Sequence, residues 1–133
     1  MTVLIVDAAN VVGSRPDGWW RDRAGATERL LMRLGSLPGR TLDGAGVCTA
    51  VTAVVEGRAR DVAAPDGVEV VRAPGSGDDA LVEYATGLAG DGVALLVVTA
   101  DRGLRARLPD GVAVQGSGWL LGVLDQIDCA PPA

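Results

Sequence analysis

The run Thr2-Val3-Leu4-Ile5-Val6 is so apolar and β-branched that it reads as a buried strand, and it stops at an acid, Asp7. A second apolar run, in VALLVVTADRG, also stops at an acid, Asp101. Between and after these runs, segments with helical spacing alternate with further short strands. That alternation predicts an α/β domain: a mainly parallel, doubly wound sheet of about five strands with right-handed crossovers, Rossmann-like in outline. Ligands in such folds sit beyond the carboxyl ends of the strands, where strand order reverses. If the two acid-ended strands are neighbours across that point, Asp7 and Asp101 face one site.

The remaining elements follow from periodicity and breakers. Ala8 to Gly18 holds Gly, Pro and Ser and is expected to be a loop. A helix is expected from there to about Leu34, with Trp20, Ala24, Thr27, Leu31 and Leu34 on its buried face. Leu37 to Gly46 reads as a connector, Gly46 to Val55 as a strand, and Glu56 to Gly67 as a polar link. Val68 to Val71 gives a strand, and Asp78 to about Leu88 a helix turning Leu81, Tyr84, Ala85 and Leu88 inward. Strands are expected at Val93–Thr99 and Val112–Val114, and a last helix after Ser117 buries Leu120, Val123, Leu124 and Ile127. With 133 residues and no internal boundary, residues 1–128 form one domain and 129–133 a short tail.

Composition removes many chemistries. There is no His, so a Ser-His-Asp triad and a Cys-His nucleophile are excluded, and Cys48 and Cys129 alone do not make a zinc site. All twelve basic residues are Arg, which excludes the Lys of a Walker-A loop and any Schiff base. The Asp7-Ala8-Ala9-Asn10 turn lacks the Gly-x-Gly of a dinucleotide site and the second Asp of a phosphoacceptor. No apolar run approaches the ~20 residues that span a bilayer, and the N-terminus enters a strand without a basic leader. A reduced, cytoplasmic protein with no membrane partner is expected.

A third acid comes from the stretch SGDDALVEYA. With Leu81 at the centre of the buried helix face, Asp78 lies about 60° from it and Asp79 about 160° away. Asp78 therefore leans toward the sheet, while Asp79 points outward and fits a capping box with Ser76 as an auxiliary group. Asp7, Asp78 and Asp101 together form an acidic constellation that is unfavourable unless a cation or shared protons relieve it. Without His, its ligand set is all oxygen, which selects Mg²⁺ or Mn²⁺. Asn10 offers a neutral carbonyl oxygen, and Thr99 shares the strand face of Asp101 and can orient a carboxylate or a water. Each acid alone also fits a plain helix cap or turn, and only their joint placement at one edge favours a site.

The stretches VDAANVVGS, GSGDDALVEYA and VVTADRGLRARL occur in an order and spacing that resemble the NYN branch of the PIN-like nuclease superfamily, over about Val3 to Leu124. The resemblance implies an α/β/α fold and a metal-dependent ribonuclease with clustered acidic ligands. Carried over residue by residue, Asp7, Asp78 and Asp101 match the acidic set and Asn10 the Asn after the first Asp. Ala8-Ala9 stand where a Gly is common before that Asn, and the motifs do not place a fourth acid.

Net charge is −5, so no broad nucleic-acid face is expected. The segment SRPDGWWRDRAG is the local exception: Arg15, Arg21 and Arg23 can meet phosphates and Trp19 can stack on an unpaired base, while Trp20 belongs to the core by its spacing. Arg102, beside Asp101, is a further phosphate contact, with Arg105 and Arg107 on the helix that follows. Single-stranded or small structured RNA is the expected partner, and a homodimer is left open. The competing reading from another class is a non-catalytic module that binds RNA or protein through the same edge.

Overall fold

The computed structural model describes residues 1–15, 17–42 and 44–129, with the side chain of Cys129 left aside. Its central element is β1 (Thr2–Asp7), flanked in parallel by β3 (Gly46–Val55) and β5 (Leu95–Val98). β4 (Val68–Arg72) continues the sheet beyond the second half of β3, and β6 (Ala113–Gln115) continues it beyond β5, both parallel. The chain moves from β1 outward to β3 and β4, then returns past β1 to β5 and β6. The order thus reverses between β1 and β5, which brings the segments that carry Asp7 and Asp101 to one edge.

One expectation needs correcting here. The sheet is mixed: β2 (Thr41–Leu42), inside the expected connector, pairs antiparallel with the start of β3. Two residues suffice because β4 covers only Val51 to Val55 of β3 and leaves its first residues with a free edge.

Strand alternation divides the core in two. Leu4 and Val6 point to one face and meet α1 (Ala8–Gly13), α2 (Arg23–Leu34) and α5 (Ser117–Cys129) through Val11, Leu30, Leu31, Leu34, Leu120 and Leu124. Ile5 points to the other and meets α3 (Gly77–Gly90) and α4 (Arg102–Arg107) through Leu81, Ala85 and Leu104. Helices therefore cover both faces. Each of these buried Leu, Ile and Val side chains contributes about 1.5–3 kcal/mol relative to exposure, so the two layers jointly hold the strands in register.

Three local expectations fail for identifiable reasons. Ala8–Gly13 is a helix and not a loop, because the breakers of that stretch all fall at or after Gly13, while Asp7 caps the helix by accepting the Asn10 N–H at 3.4 Å. The next helix does not run through Trp20. A 3₁₀ turn at Trp19–Arg21 comes first, and Asp22 then caps α2 by accepting the Gly25 N–H at 2.9 Å. That interruption puts Trp20 out of phase with Ala24 and Thr27, and the indole is 56% exposed. Finally, α5 extends through Cys129, so only residues 130–133 of the expected tail lie beyond it, outside the described residues.

Leu81 is fully buried and anchors the helix that carries Asp78. Leu81→Ala should lower the unfolding free energy by about 2–5 kcal/mol. Urea denaturation followed by circular dichroism measures this; a loss under 1 kcal/mol would show that α3 is held by something else.

Candidate active site

The edge formed by the carboxyl ends of β1, β3 and β5 collects four acids. Asp7 ends β1 and is only 7% exposed. On β1 it shares the face of Ile5, toward α3 and α4. Glu56 follows β3 and by the same alternation shares the face of Val54. Asp78 stands in the first turn of α3, half-buried, and Asp101 lies two residues beyond the Thr99 that follows β5. Val6 and Val98 are partners in the parallel register, which places Asp7 level with Thr99. The three predicted acids are thus brought to one edge.

Hydrogen bonds fix this edge. Thr99 Oγ1 donates to Asp7 Oδ2 at 3.0 Å and accepts the Asp101 N–H at 3.2 Å, so one buried hydroxyl ties the two acid-bearing segments. Asp101 Oδ1 also caps α4 by accepting the Leu104 N–H at 3.1 Å. Asn10 Oδ1 accepts the Ala100 N–H at 2.9 Å and the hydroxyl of the buried Ser117 at 3.0 Å. Both lone pairs of that oxygen are committed, so Asn10 holds the β5–α4 turn against the start of α5 rather than offering a free carbonyl ligand. Ser117 is a positioning residue that sequence reasoning did not single out; its only signal was a polar residue at a helix start.

Glu56 is the acid that the motifs did not place. Its Oε2 accepts the Gly77 N–H at 2.7 Å, docking the start of α3 onto the end of β3. A Cβ on Gly77 would come within 2.9 Å of the Glu56 carboxyl carbon, so the glycine permits this approach. The signal was present in the sequence: Glu56 directly follows Val54-Val55, a third strand ending in an acid.

Electrostatics show that these groups sense one another. Burial, augmented by the charges of Asp78 and Glu56, pushes Asp7 up to about 6 against the bonds from Thr99 and Asn10. Asp78 is also pushed up, first by burial, then by Asp101 and Glu56, with Arg107 partly offsetting them. None of the four acids has an ion-pair partner among the described residues. Asp79 differs: it is exposed and pairs with Arg107 Nη2 at 2.7 Å, linking α3 to α4, while Ser76 Oγ accepts its N–H at 3.5 Å. The helical phase that separated Asp78 from Asp79 holds.

The donor set suits a hard cation in kind, being carboxylate throughout. In spacing it is open: among the described residues no three His, Cys, Asp or Glu side chains are gathered closely enough to ligate one ion.

The basic and aromatic residues divide. Trp19 lies under the Arg23 guanidinium, 5.2 Å from the ring centroid, and both line a cavity of about 410 Å³ that reaches Glu56. Arg21 sits 6.0 Å over the exposed Trp20. Arg15 turns elsewhere, toward Asp125 of α5 at 3.7 Å, in a separate cleft with Arg29 and Arg33. Arg102 is exposed at the first position of α4.

No protein-family model matches this chain, and no curated protein matches it in sequence. Among solved structures it is similar to Rae1 (YacP) from Bacillus subtilis, with TM-score 0.71, 19% identity and coverage of 96% of this chain and 76% of that one. A single-substitution mutant of the same protein gives TM-score 0.70, 18% identity and coverage of 96% and 77%. At this level of identity the likeness establishes a shared α/β fold over almost the whole chain.

Asp7 holds its proton more tightly folded, at about 6, than at the ordinary 3.8 of an exposed aspartate. Its contribution therefore favours the fold below pH ~4, declines as pH rises, and is lost above pH ~6. The difference corresponds to about 3 kcal/mol. In EDTA at pH 7.5, Asp7→Asn should stabilise the protein by up to that amount and flatten the stability profile between pH 4 and 6. Thermal melts across that range test it; a destabilised Asn variant would refute the account.

Proposed function

We propose that this chain is a metal-dependent ribonuclease of the NYN branch of the PIN-like superfamily, hydrolysing RNA phosphodiester bonds endonucleolytically at the acidic edge. The observation that carries the reading is Asp7: a carboxylate 7% exposed, facing other acids, with no basic partner among the described residues. Its cap on α1 and its bond from Thr99 do not require it to be buried among other acids, and burial makes its charged form destabilising. A divalent cation, Mg²⁺ or Mn²⁺, held by Asp7, Asp78 and Asp101 with Glu56 as a fourth acid, accounts for it. When bound, such an ion supplies charge neutralisation and a more acidic water.

The chain's own groups have separable tasks. Asp7 and Asp78 are the ligand pair that needs relief most, since both are held above the ordinary carboxylate range. Thr99 fixes the Asp7 carboxylate through one oxygen and positions the Asp101 backbone. Asn10 and Ser117 hold the Asp101 turn from behind. Arg102 is placed to meet a phosphate from the outer side, and Trp19 and Arg23 to meet the RNA beyond Glu56. The water oxygen bonds to phosphorus as the bond from phosphorus to the ribose oxygen breaks; the water proton passes to a carboxylate or to solvent, the leaving oxygen takes up a proton from solvent, and no covalent enzyme intermediate is needed.

A second reading keeps the edge as a binding surface for RNA or protein and drops the chemistry. It is favoured by the open spacing of the acids and by the committed oxygen of Asn10. The ribonuclease reading takes RNA as the partner and the cytoplasm as the location. No helix among the described residues is long and apolar enough to cross a membrane.

Structured and unstructured RNAs incubated with Mg²⁺, Mn²⁺ or EDTA separate the two. A nuclease cleaves only with metal, and Asp7→Asn or Asp78→Asn reduces cleavage to background. Cleavage that survives EDTA, or equal cleavage by Asp7→Asn, would overturn the mechanism. Asp79→Asn, which removes only an exposed ion pair, should retain cleavage and lose less than about 1 kcal/mol of stability.

A further inference from the structure

The cavity beside Glu56 lies on the opposite side of the sheet edge from the acids. Its walls are Ala8, Ala9, Val12, Trp19, Thr27 and Val55, with Arg23, Gly57, Ala59 and Gly75 completing the lining. Val55 belongs to the core face covered by α1 and α2, whereas Asp7 and Asp78 belong to the face of α3. Glu56 is common to both: it lines the cavity, and its charge acts on Asp7 and Asp78. The acidic edge and the cavity are therefore two halves of one surface, with Glu56 as the ridge between them.

The volume of about 410 Å³ lies within the ~300–1,000 Å³ of small-molecule sites and accommodates a nucleobase with its ribose. The lining decides which part of a nucleotide enters. Glu56 and Arg23 oppose one another in charge in the wall, so the cavity itself carries no net attraction for a phosphate. The Glu56 carboxylate is held at the rim by the Gly77 N–H, which Oε2 accepts at 2.7 Å. Apolar side chains make up most of the remaining wall, and the Trp19 indole, with the Arg23 guanidinium over its ring, supplies the wall's aromatic surface. Thr27 Oγ1 already donates to the Arg23 carbonyl at 2.8 Å, so it adds little polarity.

We propose that this cavity receives one unpaired base of the RNA whose neighbouring phosphate lies on the acids, so that the strand crosses the sheet edge over Glu56. The inference rests on the ribonuclease reading for the placement of the phosphate. It makes the substrate a single strand or a loop, because a paired base must first leave its stack, at a cost that a duplex does not recover here. It also fixes cleavage at a set distance from the captured base.

The test uses a 5′-labelled single-stranded oligoribonucleotide and a series carrying one abasic position each. Binding is read by fluorescence anisotropy with Asp78→Asn protein, and cleavage with the parent protein and Mg²⁺. One abasic position should weaken binding about 5- to 150-fold, the span of a single base–aromatic stack, and should depress cleavage at one fixed bond. Trp19→Ala should show the same loss and no further loss with that abasic strand, whereas Trp19→Phe should retain most binding. Ala9→Leu, which narrows the mouth without removing packing, should reproduce the loss. A flat abasic scan, or parental binding by both Trp19→Ala and Ala9→Leu, overturns the base pocket even if Asp7→Asn is inactive. Conversely, base- and Trp19-dependent binding without metal-dependent cleavage overturns the catalytic reading and leaves the pocket standing. No binding of any strand overturns both.

Discussion

The site depends on β1 having parallel partners on both sides. Parallel pairing points the carboxyl ends of β1, β3 and β5 the same way, and the reversal of strand order beside β1 opens that edge. Each of these strands, or the turn just after it, ends in an acid, and α3 starts from the same side with Asp78. The apolar layers above and below leave the strands no freedom to separate the charges. Folding and like-charge repulsion are thus in direct opposition at Asp7, and the two hydrophobic cores decide the outcome.

Much of this was legible because it depends on short-range rules. The end of β1 and the alternation along β5 placed Asp7, Thr99 and Asp101 without any knowledge of packing. The 100° helical step separated Asp78 from Asp79, and the bond from Arg107 to Asp79 confirms that division. Legibility ended where a local competitor intervened. Asp22 caps α2 and so removed Trp20 from the helical phase that seemed to bury it. Glu56 was read as the start of a polar link, although it directly follows a strand as an acid at the same edge as Asp7. The commitment of Asn10 could not be read at all, because its partners Ala100 and Ser117 are 90 and 107 residues away.

Capping and site membership turn out not to be alternatives. Asp7 spends Oδ1 on the Asn10 N–H of α1 and Oδ2 on Thr99. Asp101 spends Oδ1 on the Leu104 N–H of α4. These bonds orient the carboxylates, and for Asp7 they lower a proton affinity that burial raises. A helix start is thereby used as a clamp for an acid, and the helix gains a cap from the same group.

The bond between Glu56 and the Gly77 N–H carries an evolutionary corollary. The carboxyl group fills the space that any side chain at position 77 would need, with 2.9 Å separating it from an added Cβ. The two positions therefore form a linked pair: a lineage that keeps the acid must keep the glycine, and one that shortens the acid is released to accept alanine. Substitution at 56 ought to precede substitution at 77 in any such descent. The order of those two changes would record when the fourth carboxylate stopped mattering.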